Sequence, residues 1–259
     1  MYAARSFLPW TGRNLDHTGR QPRIRLFCFP YAGGGAGVFR AWQDDLPETI
    51  QVCPIQLPGR ENRFREPPFA RLENLVEALA TALFPLFNMP FALFGHSMGA
   101  LIAFELARTL RATGVVPTHL FVGAARPPHL HKTDAPIHLL EDKKFVDALR
   151  RRVNGIPEAV LRSPDLLQAL LPTLRADLAL CERYLYARGE PLDCPISALG
   201  GEQDQTIELQ QLAGWRVHTR ASFDLQRFPG NHFFIAEART PVLRSIITAL
   251  SKISARSGP

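Results

Sequence analysis

Short apolar runs alternate with segments of helical periodicity from residue 24 to residue 124. Such runs are typical of strands that are buried on both faces of a parallel sheet. The segments 71–86 and 98–114 instead repeat apolar residues at helical spacing. The alternation predicts an α/β fold, with a mostly parallel, doubly wound sheet and helices on both faces. The predicted strands are IRLFCF (24–29), IQVCPI (50–55), FALFG (91–95) and THLFVGA (118–124).

The periodicity changes between residues 125 and 190, where proline-punctuated helical segments at 137–153 and 163–187 replace the strands. Strand-like runs return at 195–201 and 223–228. A helix near 206–213 and a last helix over 240–253 complete the pattern. We therefore predict one α/β domain over residues 1–259, with a helical lid insertion at 125–190. The polar N-terminal segment 1–22 is expected to be a loose arm.

Composition narrows the class of protein. The chain has 259 residues, 46% of them hydrophobic, and a net charge of +6. Its basic residues form no long block, and no zinc-finger spacing or RNP-like motif is present, so we expect no nucleic-acid partner. The N-terminus lacks a signal-peptide core, and no run is long enough to span a membrane. Four cysteines without metal-type spacing agree with a cytoplasmic protein that binds no metal.

The junction between the third strand and the next helix reads GHSMG, residues 95–99. It matches G-x-S-x-G, in which the serine sits on a strained strand-to-helix turn and larger flanking residues would collide. The helix that starts at Met98 directs its N–H groups towards the same place. In this context the motif predicts Ser97 as a nucleophile.

A serine nucleophile needs a base, and the base needs an orienting acid. Functional groups of parallel sheets gather at the carboxyl ends of the strands. His232 directly follows the strand at 223–228, whereas His218 precedes it. His129, His131 and His138 belong to the insertion. We therefore predict that His232 is the base.

The same rule selects the acid. Asp204 follows the strand at 195–201, and Asp193 precedes it. Glu202 is the fallback, two residues before Asp204. The chain order Ser97, Asp204, His232 is that expected of an α/β-hydrolase.

An oxyanion hole requires two backbone N–H donors. Met98 follows the nucleophile and supplies one, and the loop PYAGGG (30–35) after the first strand supplies the other. Ala32 is the predicted donor there, with Gly33 as the next choice. A nucleotide-binding interpretation of these glycines fails, because Val38 stands where G-x-G-x-x-G needs glycine.

Several motifs together resemble type II thioesterases, the stand-alone editing hydrolases of polyketide and nonribosomal peptide assembly lines. The acid segment GGEQDQT departs from the compact Asp-rich turn expected of that family. The resemblance extends over residues 24–240. The motifs, in chain order, are FPYAGGGAGVFRAW, IQLPGRENRFREPPF, FALFGHSMGALIAFELAR, GGEQD and FPGNHFF.

The resemblance implies an α/β-hydrolase fold with a helical lid. It also implies hydrolysis of acyl groups from the phosphopantetheine thioester of acyl or peptidyl carrier proteins, with no cofactor of its own. The triad would be Ser97, Asp204 and His232, and the oxyanion hole would be Ala32 and Met98. We expect a monomer that meets acidic carrier proteins through basic residues, for which the candidates are Arg60, Arg63 and Arg126.

Three other functions fit parts of the pattern. A serine acyltransferase also carries G-H-S-x-G, but it would not need Asp204. A lipase or carboxylesterase would share the whole triad and differ in preferring oxygen esters. A binding module with a hydrolase fold would keep the architecture and would not react with an active-site label.

Overall fold

The computed structural model describes residues 7–8, 22–130, 135–152 and 163–254. A six-stranded sheet with the order β2-β1-β3-β4-β5-β6 forms its centre, and every pair of neighbouring strands is parallel. The strand positions and the parallel α/β architecture predicted from the sequence are confirmed. The strands are β1 Ile24–Phe29, β2 Ile50–Pro54, β3 Phe91–His96, β4 His119–Gly123, β5 Ile196–Gly201 and β6 Phe223–Phe228.

Helices connect the strands. Four shorter elements of the described residues have 3-10 geometry: Ala36–Phe39 and Glu61–Arg63 in the loops that follow β1 and β2, Phe84–Leu86 before β3, and Gly214–His218 before β6. The α-helices are α1 Trp42–Asp45, α2 Leu72–Leu83, α3 Met98–Arg111, α4 Asp142–Arg152, α5 Pro164–Glu182, α6 Leu209–Ala213, α7 Phe234–Glu237 and α8 Arg239–Ser254.

Alternate side chains of the central strands point into two separate cores. Phe27 and Phe29 of β1 pack in the core that includes α2 and α3. Leu26 and Cys28 of the same strand pack in the core that includes α1 and α8. Because successive residues of a strand face opposite sides, both faces of the sheet are covered by helices, as the continuous apolar runs predict.

The segment between β4 and β5 has a small core of its own. Phe145 and Leu149 of α4 pack there with Leu171 and Leu174 of α5. The described residues of this segment form helices and loops and no strand. The segment therefore packs as a separate layer.

The start of α4 differs from the sequence pattern, in which helical periodicity begins at residue 137. The helix begins at Asp142. The backbone N–H groups of Ile137 and His138 donate to the Glu182 carboxylate, with N–O distances of 3.0 Å. Glu182 binds these donors from the end of α5 and so keeps residues 137–138 outside the helix.

Two residues of the N-terminal segment belong to the core. Phe7 and Leu8 are 0% and 3% exposed. The Phe7 carbonyl accepts a hydrogen bond from the Gln56 N–H at 2.8 Å, and the Arg63 guanidinium lies over the Phe7 ring. The expectation of a loose arm is wrong for these two residues, and the rest of that expectation lies outside the described residues.

Candidate active site

Ser97 occupies the sharp turn between β3 and α3. Its backbone has φ 55° and ψ −114°, a sparsely populated conformation for a residue with a side chain. A Cβ on Gly95 would overlap the carbonyl oxygen of Gly99, and a Cβ on Gly99 would overlap that of Phe29. Both glycines are therefore needed for α3 to start this close to the sheet.

His232 and Asp204 meet at the carboxyl end of the sheet, where they follow β6 and β5. The Nδ1 atom of His232 lies 2.9 Å from Oδ2 of Asp204. The side chain of Asp204 is 1% exposed and that of His232 is 11% exposed, so water has little access to this contact. The two loops also pair through their backbones, because Gln203 N–H donates to the Gly230 carbonyl at 3.0 Å.

The carboxylate fixes the tautomer of the imidazole. A histidine that donates from Nδ1 leaves Nε2 free to accept a proton, as a general base must. Burial alone would raise the pKa of the Asp204 carboxyl, but hydrogen bonds from His232 and Thr206 outweigh it and lower the pKa. Asp204 is therefore ionised at neutral pH and faces the imidazole with a negative charge.

Thr206 joins this pair and was missed by the sequence reasoning. Its N–H and its hydroxyl both donate to Oδ1 of Asp204, at 2.8 and 2.6 Å. The hydroxyl oxygen also lies 3.0 Å from Nδ1 of His232. The signal was present in GGEQDQT, because an aspartate that accepts from the N–H two residues later forms an Asx turn.

His96, the variable position of the G-x-S-x-G motif, connects the serine turn to the histidine loop. Its Nε2 donates to the backbone carbonyl of His232 at 2.7 Å. Burial, and secondly the nearby His232, lower the pKa of His96 to about 3. The ring is therefore neutral with its proton on Nε2, and Nδ1 is buried without a hydrogen-bond partner among the described residues.

The same contact brings the elements of the predicted triad to one place. The His96 and His232 rings have centroids 5.5 Å apart, and Ser97 is the residue after His96. Ser97 N–H donates to the Gly123 carbonyl at the end of β4. The serine turn, the imidazole and the carboxylate thus lie at one edge of the sheet.

We refer to the loop after β1, residues 30–35, which contains the predicted donors Ala32 and Gly33, as the oxyanion loop. Gly33 N–H donates to Oδ2 of Asp177 in α5 at 2.7 Å, so this donor is occupied. Ala32 N–H makes no hydrogen bond within the described ranges. The geometry therefore favours Ala32 over Gly33 as the partner of Met98, which opens α3.

Other candidates from the sequence lie in other environments. Glu202 is exposed, and its N–H pairs with the Phe228 carbonyl. His129 and His218 contact each other at 2.8 Å between Nδ1 and Nε2. His138 contacts Glu182 at 2.6 Å, beside the start of α4. His131 lies outside the described residues.

Of the three basic residues expected to meet a carrier protein, Arg60 and Arg63 are buried, so the expectation is wrong for these two. Arg60 and Arg63 are each 4% exposed, so neither presents its charge to a partner. Arg60 binds Asp177, and Arg63 binds Glu66. Arg126 is partly buried, and its guanidinium lies 3.4 Å from the Thr206 carbonyl. The arginines of the loop after β2 that were expected to bind a partner, Arg60 and Arg63, therefore form ion pairs within the protein.

No group of three or more His, Cys, Asp or Glu side chains among the described residues is arranged to hold a metal ion. No helix in the part of the chain that the structure describes has the length and apolar character that a bilayer crossing requires. The absence of a cofactor stays a prediction.

Known proteins resemble the chain over most of its length. The family model for the thioesterase domain matches residues 24–250. The gramicidin S biosynthesis protein GrsT of Aneurinibacillus migulanus is 45% identical over 234 residues, which are 90% of this chain and 91% of that protein.

Solved structures agree with these matches. The thioesterase RedJ from the prodiginine pathway of Streptomyces coelicolor is 42% identical with a TM-score of 0.81, over 88% of this chain and 86% of that one. The type II thioesterase BorB from the borrelidin biosynthetic cluster is 34% identical with a TM-score of 0.79, over 89% and 94%. The predicted α/β-hydrolase fold is confirmed, and the chain belongs to the thioesterase family.

Proposed function

We propose that this chain is a serine thioesterase of the editing type. It would hydrolyse acyl groups from the phosphopantetheine thioester of carrier proteins in a polyketide or nonribosomal peptide assembly line. The hydrogen bond between Asp204 and Nδ1 of His232, beside the strained serine turn, carries this proposal. Similarity to biosynthetic thioesterases over most of the chain supports the substrate class.

The proposed reaction has two steps. In the first, His232 takes the proton of the Ser97 hydroxyl as the serine oxygen bonds to the thioester carbonyl carbon. The N–H groups of Ala32 and Met98 stabilise the resulting oxyanion. The carbon–sulfur bond then breaks, and the imidazolium returns the proton to the leaving thiolate.

In the second step, water replaces the thiol. His232 takes a proton from water, and the water oxygen attacks the acyl-serine carbonyl. The ester bond breaks, and Ser97 recovers its proton from the imidazolium. Asp204 stabilises the positive imidazole in both steps without taking the proton itself.

The helical segment between β4 and β5 is proposed to act as a lid. Its helix α5 contacts the oxyanion loop directly through Asp177, which supports a position over the reacting atoms. A lid that excludes water and adds apolar surface would suit an acyl chain.

A comparison of substrates tests the proposal. The purified protein is presented with several acyl-loaded carrier proteins, the matching acyl-coenzyme A thioesters and the matching oxygen esters. We expect kcat/KM to be highest for the loaded carriers and lowest for the oxygen esters. Ser97→Ala is the control, and it should abolish turnover and labelling by a fluorophosphonate.

Each alternative predicts a different result. Faster cleavage of oxygen esters would indicate a carboxylesterase. Acyl transfer to a second thiol or alcohol, without release of free acid, would indicate an acyltransferase. A folded protein that neither turns over nor takes the label at Ser97 would indicate a binding module.

A further inference from the structure

Helix α5 reaches the oxyanion loop through one buried carboxylate. The side chain of Asp177 is 1% exposed. Its Oδ2 accepts from the Gly33 N–H at 2.7 Å and from Nη1 of Arg60 at 2.7 Å, while its Oδ1 accepts from Nη2 of Arg60 at 2.7 Å. One acidic side chain therefore joins three segments that are far apart in the sequence.

All three guanidinium nitrogens of Arg60 donate hydrogen bonds at this junction. Its Nε and Nη2 donate to the Pro58 carbonyl at 3.2 Å, and its Nη1 donates to the Gly34 carbonyl at 3.2 Å. With the two bonds to Asp177, each of the three guanidinium nitrogens is paired. A buried charge that lost its partner would be strongly unfavourable, so the arginine holds Asp177 in one position.

A hydrogen bond holds the peptide group on each side of the Ala32 Cα atom, and the Asp177 junction supplies one of the two. On one side, the Tyr31 carbonyl accepts from Gly34 N–H at 2.9 Å. That carbonyl and the Ala32 N–H belong to the same trans peptide and point in opposite directions. On the other side, the Gly33 N–H is held by Asp177. The direction of the Ala32 N–H is therefore fixed from both sides.

Two further contacts come from neighbouring positions of α5. A Cβ on Gly33 would lie 2.6 Å from Cδ2 of Leu174, so this leucine packs directly against the loop. The Thr173 hydroxyl donates to the Gly59 carbonyl at 2.6 Å. Residues 173, 174 and 177 share one face of the helix by their spacing. This face sits on both loops that carry Gly33 and Arg60.

We infer that Asp177 is a positioning residue for the oxyanion hole, acting through the Gly33 peptide and held in place by Arg60. The inference rests on the proposed function, because it assumes that Ala32 N–H binds the oxyanion. Asp177 does not touch the reacting atoms. Its role is to set the direction of an N–H that does, so its loss lowers the stabilisation of the transition state more than the binding of substrate.

Two variants of Asp177 test the inference. Asp177→Asn removes the charge and leaves one acceptor oxygen, which cannot accept hydrogen bonds from Gly33 N–H and from both nitrogens of Arg60. Asp177→Glu keeps the charge opposite Arg60 but moves the carboxylate by one methylene. This variant provides the test if Asp177→Asn does not fold. Asp142→Asn is the matched control, because it removes a carboxylate that pairs with Arg175 of α5 away from the oxyanion loop.

The measurements separate positioning from stability. For each folded variant, kcat and KM are measured with a soluble acyl thioester, together with the Ki of a trifluoromethyl ketone that forms a tetrahedral adduct with Ser97. We expect kcat to fall about 10- to 100-fold in Asp177→Asn and about 10-fold in Asp177→Glu, with KM within about threefold. The Ki should rise by the same factor as kcat/KM falls, because an oxyanion analogue depends on the same N–H.

Each outcome bears on one claim. A folded Asp177 variant that keeps the wild-type kcat and Ki within about twofold overturns the inference. A loss of kcat that leaves the Ki unchanged also overturns it, because the oxyanion hole is then intact. If wild-type protein does not hydrolyse thioesters, or if Ser97→Ala is as active as wild type, the proposed function fails instead. Asp142→Asn should match wild type in both measurements.

Discussion

Nδ1 of His232 lies 2.9 Å from Oδ2 of Asp204, and this carboxylate is almost completely buried. The acid comes from the loop after β5 and the base from the loop after β6, which are neighbouring strands. Because parallel strands end at the same edge, a short polar segment after each was enough to bring the two side chains together.

Removal of the Asp204 charge tests that relationship. In Asp204→Asn we expect kcat for a thioester to fall by about three to four orders of magnitude, because an amide can favour the wrong imidazole tautomer. Steady-state kinetics on the purified variant measure the effect. Asp224→Asn, an exposed aspartate in β6, is the control and should keep wild-type rates. An active Asp204→Asn would instead favour the acyltransferase alternative.

Thr206 gives a finer test of the same pair. Thr206→Val removes the hydroxyl that binds Asp204 and contacts His232, at almost constant volume. We expect kcat to fall about 10- to 100-fold with little change in KM, since a hydrogen bond to a charged group such as the ionised Asp204 contributes about 1.5–3 kcal/mol. Thr206→Ser keeps the hydroxyl and should restore most of the rate. Equal kcat in the Val and Ser variants would contradict an orienting role.

Acid should destabilise the protein through its buried histidines. The pKa of His96 is lowered to about 3, mainly by burial, and burial likewise lowers those of His119 and His218 to about 4. Between these values and the ordinary value of about 6.5, the unfolded chain binds more protons than the folded one. The free energy of unfolding therefore rises with pH across this window. As pH falls through the window, the free energy of unfolding decreases.

His96→Gln isolates one of these groups. Urea unfolding of the variant and of wild type is followed from pH 8 to pH 4. Below about pH 6 we expect the wild-type curve to fall more steeply, by up to about 1.4 kcal/mol per pH unit. Above pH 7 the two curves should run parallel, which provides an internal control. Identical slopes at low pH would show that His96 accepts a proton in the folded state.

The glycines of the serine turn should not tolerate a side chain. Gly95→Ala would place a Cβ on the Gly99 carbonyl, so we expect loss of thioester hydrolysis and a destabilisation of several kcal/mol. Gly114→Ala is the control. Gly114 has φ 77°, but a Cβ there meets nothing within 4 Å, so the cost should be only about 1 kcal/mol. Thermal unfolding and turnover measure both variants. A stable, active Gly95→Ala would contradict the close approach of α3.

The sheet could be predicted because each strand carries its own signal. A strand buried on both faces needs a continuous apolar run, and such runs are visible without knowledge of the partner strand. The site could be predicted from the same strands, because His232 and Asp204 directly follow the carboxyl ends of two of them. The Asx turn at Thr206 was also local and could have been found.

Contacts between distant segments could not be predicted in the same way. Arg60 and Asp177 are separated by 117 positions, and neither residue has a neighbour that identifies the other. From the sequence, Arg60 therefore looked like a surface charge for a partner protein. The start of α4 was missed for a related reason, because Glu182 at the far end of α5 binds the N–H groups of Ile137 and His138.

The junction between α5 and the oxyanion loop links the position of this helix to the position of the Gly33 amide. Any movement that lifts α5 away must separate Arg60 from its counter-ion and release the Gly33 amide at the same time. An exposed reaction centre would then be an inactive one.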